Sequence, residues 1–195
     1  MSSLQIYLSM IKNYHYSTYL HSVRVSNLAY KIGERVGFNS QELEQLKLSA
    51  LLHDMGKLKV SKSILDKPTK LDPIEWDSIK KHPLYGVEML QHSYLLSNEA
   101  MEGVFSHHEY YNGEGYPRGL KGESINSFAR VIAIADAIDA MTTQRSYRPY
   151  QQSLQEAIRE IHRCKGTQFD PYVCHQITSL NYYNCTDVIK SNLFV

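Results

Sequence analysis

The chain of 195 residues is short of three things, and each shortage removes a class of protein. Its three cysteines (Cys164, Cys174, Cys185) are odd in number and lack close ligand spacing. That pattern suggests neither a disulfide framework nor a zinc ribbon, and it fits a reducing cytosol best. An excess of charge of one sign is also missing, since 21 Lys and Arg stand against 20 Asp and Glu for a net charge of +1. A nucleic-acid polymer is therefore not expected as a partner, and an anionic ligand has to be small and held locally. Long apolar runs are absent as well: nowhere do about 18 uncharged apolar residues follow one another, and Met1 to Tyr14 carries no cationic leader or cleavage site. No membrane span and no signal peptide are expected. With no repeat, low-complexity tract or internal linker, the expectation is a single cytoplasmic domain over 1–195, its core at about 17–180 and its 43% hydrophobic residues enough for one buried core.

What is present is helical periodicity. Apolar residues recur at spacings of three and four, while alternation of period two is scarce, so the fold class is all-α, a bundle of helices. A first helix is predicted from about Ser17 to Val36, stopped by Gly37. Asn39 with Glu42 resembles a capping box for a second helix reaching Gly56. Asp72-Pro73-Ile74-Glu75 is a strong start signal, after which Pro83 kinks or restarts the helix. Ser97 caps a helix running through His108. Tyr111 to Ser124, with four glycines and a proline, must be a loop. Helical period returns over Ser127–Thr143 and Ser153–Lys165, and Asp170-Pro171 opens a short last helix with Val173, Ile177 and Leu180 inward.

Nine histidines are the unusual count, and their positions decide what they mean. Val25, Leu28, Ile32 and Val36 form one stripe, and four residues back from Val25 stands His21. Leu43, Leu46 and Ala50 lead to His53 and Asp54; Trp76 and Ile79 lead to His82. Met101, Val104 and Phe105 lead to His108, Ala100 and Val104 lead to His107, and Ala129, Ile132 and Ala133 lead to Asp136. A lone histidine on an apolar stripe is usually a hydrogen-bonded core residue. Seven polar groups on five such stripes are another matter, because buried carboxylates without matching arginines are costly and a bound dication would supply the missing charge. The mixed nitrogen and oxygen donors favour iron or manganese, with zinc, nickel or cobalt also compatible, at two sites bridged by Asp54.

His53-Asp54 followed by Met55-Gly56-Lys57 resembles the signature of the HD superfamily of metal-dependent phosphohydrolases. The stretch His107-His108-Glu109-Tyr110-Tyr111-Asn112-Gly113-Glu114-Gly115-Tyr116-Pro117-Arg118-Gly119-Leu120 is similar to the extended motif of its HD-GYP branch, and the likeness continues through Ala135–Thr142 and Arg145–Arg148. That resemblance implies hydrolysis of cyclic di-GMP to linear pGpG, or onward to GMP. It implies one metal on His21, His53, Asp54 and Asp136 and another on Asp54, His82, His107 and His108. Some family members hold a third ion through a Glu one turn before the first histidine; Ser17 stands there, so two are expected. Where members tend to carry an Asp near the substrate, this chain has His15.

Paired cations of this kind present a bridging hydroxide for in-line attack on phosphorus, so Asp54 is the expected catalytic centre and no protein nucleophile is needed. Lys57 is expected to meet the same phosphate. By family analogy Arg145 suits a second phosphate or a guanine edge, Asp139 resembles a carboxylate supporting a ligand or touching substrate, and Tyr116 in the glycine-rich loop is a candidate substrate contact. Glu109 has no assigned role. Other readings remain: a different cyclic dinucleotide or a guanosine polyphosphate as substrate, or a non-catalytic nucleotide-sensing module, with a homodimer or a signalling protein as further partner.

Overall fold

In the computed structural model of the chain, described over residues 2–143 and 151–178, ten α-helices follow one another and an isolated bridge from Lys165 to Phe169 takes the place of any strand. They are α1 Ser3–Tyr14, α2 Tyr16–Val36, α3 Ser40–Leu52, α4 Lys62–Leu65, α5 Pro73–Ile79, α6 His82–Leu90, α7 Asn98–Ser106, α8 Ser127–Thr142, α9 Leu154–Arg163 and α10 Pro171–Gln176. The fold is all-helical, as expected. Arg145, Leu180 and Cys185 lie outside the described residues.

The helix ends follow from side chains that satisfy orphan backbone groups. Asn39 and Glu42 form the predicted capping box on α3, and Asp72 and Glu75 form another on α5 with Pro73 in the first turn. Gly37 closes α2 in the left-handed conformation at φ 94°. Pro83 sits in the first turn of α6, so it restarts the chain as a new helix and does not kink an old one. Two helices end earlier than predicted: α3 stops at Leu52 and α7 at Ser106. α1, read from sequence as an extension, is a capped helix held by Ser2 and Gln5 that buries Ile11.

α8 is the central element. Its Ala129, Val131, Ile132, Ile134 and Ala135 are fully buried against Val25, Ala29 and Ile32 of α2 and Leu46 and Ala50 of α3. Removal of each of the larger side chains from water contributes about 1.5–3 kcal/mol. A second apolar cluster joins Ile11, Leu52, Met55, Leu90 and Val104. α2, α3 and α8 therefore cannot slide against one another, and the polar groups on them are fixed in register.

Candidate metal centre

Five elements deliver side chains to one point. His21 projects from the second turn of α2 and Asp136 from the middle of α8, His53 is the residue closing α3, with Asp54 next to it, His82 opens α6, and His107 closes α7. Early termination of α3 and α7 turns these ligands toward a common centre. A five-residue 3-10 segment, Met55–Lys59, then packs on α6, and only glycine fits at its second position. A Cβ on Gly56 would lie 1.9 Å from the His82 carbonyl oxygen and 2.6 Å from the Gly86 nitrogen.

Backbone carbonyls fix the imidazoles. Nδ1 of His53 faces the Ala50 oxygen at 2.7 Å, that of His82 the Ile79 oxygen at 2.8 Å, and that of His107 the Val104 oxygen at 2.7 Å. A carbonyl only accepts, so each Nδ1 carries the proton and each Nε2 of a neutral ring offers a lone pair inward. Burial, first of all, holds the pKa of His53, His82 and His107 below 6.5 and pushes His108 down to about 4. Nε2 of His82 and Nε2 of His107 consequently oppose each other at 3.2 Å with no proton to share. Two lone pairs at that distance repel unless a cation lies between or beside them.

The carboxylates ask for the same thing. Asp54 is fully buried; its Oδ2 accepts from Lys57 Nζ at 2.7 Å, while its Oδ1, 3.3 Å from His82 Nε2, has no hydrogen bond. An anionic oxygen in that state is costly. Burial opposes ionisation of Asp54 and Asp136, yet His53 and Lys57 around the first, and the His21 hydrogen bond on the second, hold both pKa values well below 3.8. His21 Nε2 lies 3.1 Å from Asp136 Oδ1 and 3.6 Å from Asp54 Oδ2, and its Nδ1 bonds Asp139 Oδ2 at 2.7 Å. Burial disfavours its charge, but those three carboxylates raise its pKa to about 9. A proton is thus drawn to the place where the surroundings call for positive charge. Ligand atoms of His21, His53 and Asp54 lie within 4.8 Å of one another, as do those of His82, His107 and His108. The donor chemistry and the orphaned Asp54 oxygen fit divalent transition-metal ions.

Of the two arrangements expected of Asp139, the structure has the one behind His21 and not the one in the cleft, because both its oxygens are taken: His21 and Arg24 Nη2 (3.0 Å) on Oδ2, Arg24 Nε (2.6 Å) on Oδ1. Arg24, absent from the sequence reading, locks this pair. Trp76, read as facing the core, is 47% exposed, since the two turns of α5 are too short for a stripe to predict a face. At position 15 the His15 ring bonds Thr18 at 2.6 Å and Asp66 at 2.9 Å, and Ser17 is exposed.

The glycine-rich loop closes one side. The Tyr116 nitrogen donates to the His108 oxygen at 3.1 Å, and its ring stacks on the His108 ring at 4.8 Å. Burial raises the Tyr116 pKa, so the hydroxyl stays protonated. Gly115 is required here, because a Cβ would meet the Tyr110 nitrogen at 2.1 Å. Glu109, left without a role above, is the clamp: it is buried and accepts the backbone N–H groups of Arg118 at 2.7 Å and Leu120 at 3.0 Å. A cleft of about 240 Å³ opens beside the centre, lined by His107, His108, Asp136, Tyr116, Trp76 and Gln168 among others.

A family model described as HD domain matches residues 6–173. The chain belongs to the HD domain family. It is 34% identical over 185 residues to a cyclic di-GMP phosphodiesterase of Thermotoga maritima, covering 94% of this chain and 50% of that protein. It is 40% identical over 154 residues to 3'3'-cGAMP-specific phosphodiesterase 2 of Vibrio cholerae, covering 77% and 29%. The chain thus spans half the length, or less, of these HD-domain relatives. In fold it resembles Bd1817, a HDG"Y"P protein from Bdellovibrio bacteriovorus, with a TM-score of 0.65 at 22% identity over 87% of this chain and 51% of that one. Among the described residues no helix is long and apolar enough to cross a membrane.

Proposed function

We propose that this HD domain is a metal-dependent phosphodiesterase of cyclic dinucleotides that opens cyclic di-GMP to pGpG and on to GMP. The observation that carries the reading is the buried, unbonded Asp54 Oδ1 among inward-aimed imidazole nitrogens. His21, His53, Asp54 and Asp136 would hold one divalent ion, iron or manganese by donor type, and Asp54, His82, His107 and His108 a second. Such a pair, when bound, supplies Lewis-acid charge and an activated water for attack on a phosphodiester.

The chain's own groups do the rest. Lys57 keeps Asp54 ionised through their 2.7 Å contact and retains two further N–H donors for a phosphate oxygen as charge grows on it. Tyr116, neutral and stacked on His108, shields that ring from water and offers its hydroxyl to the cleft. Asp139 and Arg24 hold the His21 ring in orientation. Arg145 remains the candidate for a second phosphate. The unpaired Cys164 and Cys174 accord with action in the cytoplasm.

The Vibrio relative supports a second substrate, 3'3'-cGAMP, which differs from cyclic di-GMP only in one base. Protein reconstituted anaerobically with iron or manganese is expected to release pGpG or GMP from cyclic di-GMP, and Asp54→Ala to release none. No product from fully metallated protein with either dinucleotide would overturn the reading and favour a sensing module.

A further inference from the structure

The cleft has lining residues that metal chemistry leaves unused. Besides His107, His108 and Asp136 the lining includes Trp76, from α5, and Gln168, from the turn before α10. Indoles are mostly well buried in folded proteins, yet Trp76 is 47% exposed, on a helix whose backbone is fixed: its main-chain N–H donates to the Asp72 carbonyl at 2.9 Å and a capping box opens the helix. The backbone of Gln168 is equally fixed: its nitrogen donates to Cys164 at 3.0 Å and its carbonyl accepts from Tyr111 at 3.1 Å. Its half-buried side-chain amide, by contrast, makes no hydrogen bond among the described residues. An aromatic ring and an unused amide on the lining of one cleft, both without charge, suit a planar, uncharged ligand edged with donors and acceptors. The metal-ligand candidates on the same lining suit anionic oxygen.

Size narrows the choice. About 240 Å³ is below the roughly 300–1,000 Å³ of pockets that engulf a ligand whole, so one nucleotide of a dinucleotide enters and the other stays outside. We propose that Trp76 and Gln168 form the subsite for the entering base: a purine stacks on the indole while the amide pairs with an adjacent donor and acceptor on the base edge. The subsite rests on the phosphodiesterase reading for the placement of the phosphate. An amide that can both donate and accept meets either guanine or adenine edges, in keeping with relatives that act on cyclic di-GMP and on 3'3'-cGAMP.

Trp76 is the single tryptophan of the chain, so its emission reports the subsite directly. Protein reconstituted with manganese is titrated with guanosine 5'-monophosphate, adenosine 5'-monophosphate and ribose 5-phosphate. Both nucleotides are expected to quench the emission, and the base-free sugar phosphate is expected to leave it unchanged. Calorimetry should show guanosine monophosphate binding weakened about 5- to 100-fold in Trp76→Ala, with Trp76→Phe recovering most of the loss, because stacking is tolerant of ring type. Gln168→Ala, checked for folding by circular dichroism, should weaken it about 3- to 10-fold, the worth of a neutral hydrogen bond. Saturating nucleotide without quenching, or wild-type affinity in Gln168→Ala, would overturn the subsite. Because quenching needs no turnover, a base subsite on a protein that hydrolyses nothing, and hydrolysis without quenching, are distinct results: the first supports this inference against the phosphodiesterase reading, the second overturns it alone.

Discussion

Gly56→Ala should damage the centre without replacing any of the residues assigned to the metals. The added Cβ would sit 1.9 Å from the His82 oxygen, 2.6 Å from the Gly86 nitrogen and 2.8 Å from the His82 carbonyl carbon. All three are backbone atoms of α6, so no side-chain rotation relieves the clash. Restoring an allowed contact near 3.0 Å moves the start of α6 away from the 3-10 segment by about 1 Å. His82 goes with it, leaving its 3.3 Å approach to Asp54 and its 3.2 Å approach to His107. Overpacking of this kind costs about 1–3 kcal/mol, which at roughly 2–4 °C per kcal/mol for a chain of this size lowers Tm by about 2–12 °C. A 1 Å misplacement is enough to reduce turnover about 100-fold.

Metal analysis after gel filtration, with Tm measured in parallel, tests this. Wild type should retain two equivalents and Gly56→Ala about one, the ion on the His82 side being lost. Gly37→Ala is the matched control: its φ of 94° makes a side chain costly by about 1–2 kcal/mol, but nothing lies within 4 Å of its Cβ. It should lower Tm and keep both ions. If Gly56→Ala binds two ions with wild-type affinity, the close approach of the two segments does not set the centre.

In metal-free protein the His21 pKa, raised from 6.5 to about 9, contributes stability that is fully present below pH 6.5 and is lost as pH rises through about 9. That loss amounts to at most about 3 kcal/mol; urea unfolding at pH 6 and pH 9.5 measures it, and His21→Gln should flatten it. A pH-independent wild type would refute the proposed charge balance. Asp139→Asn removes the anionic partner of His21 Nδ1 and should lower metal affinity about 10–100-fold in a chelator competition; an unchanged affinity would mean that Asp139 does not orient the ring. Glu109→Ala removes the buried acceptor of the Arg118 and Leu120 N–H groups, a loss of about 0.5–1.5 kcal/mol for each bond, and should open residues 111–124 to limited proteolysis, with Glu109→Gln intermediate. Resistance equal to wild type would show that the loop is held by other contacts.

The elements easiest to read were those whose cause is local. Asn39 with Glu42, Asp72 with Glu75, and Gly37 set helix ends within four residues of themselves, and the stripes of α2 and α8 are long enough for their period to point at a core. α1 was missed although Leu4, Tyr7, Leu8 and Ile11 carry helical spacing, because its buried contacts are with Leu52, Met55 and Leu90, far along the chain. The side chains of the seven anticipated residues do meet in space; six lie on or just beyond a stripe that packing aims inward, whereas the stripe that pointed to His82 is not buried and His82 is delivered by the start of α6. What escaped reading is the support around them. Arg24 meets Asp139 across 115 positions, which no period encodes. Glu109 bonds backbone N–H groups, which are anonymous in sequence. Trp76 sits on a helix of seven residues, where an error of half a turn, about two residues, exchanges core for solvent.

Anomalous diffraction from crystals of the reconstituted protein, recorded on either side of the absorption edge of the loaded metal, tests the proposed binuclear centre most directly. Two peaks flanking Asp54 are expected, one contacted by His21, His53 and Asp136, the other by His82, His107 and His108. A single peak, or density away from Asp54 after full reconstitution, would contradict it.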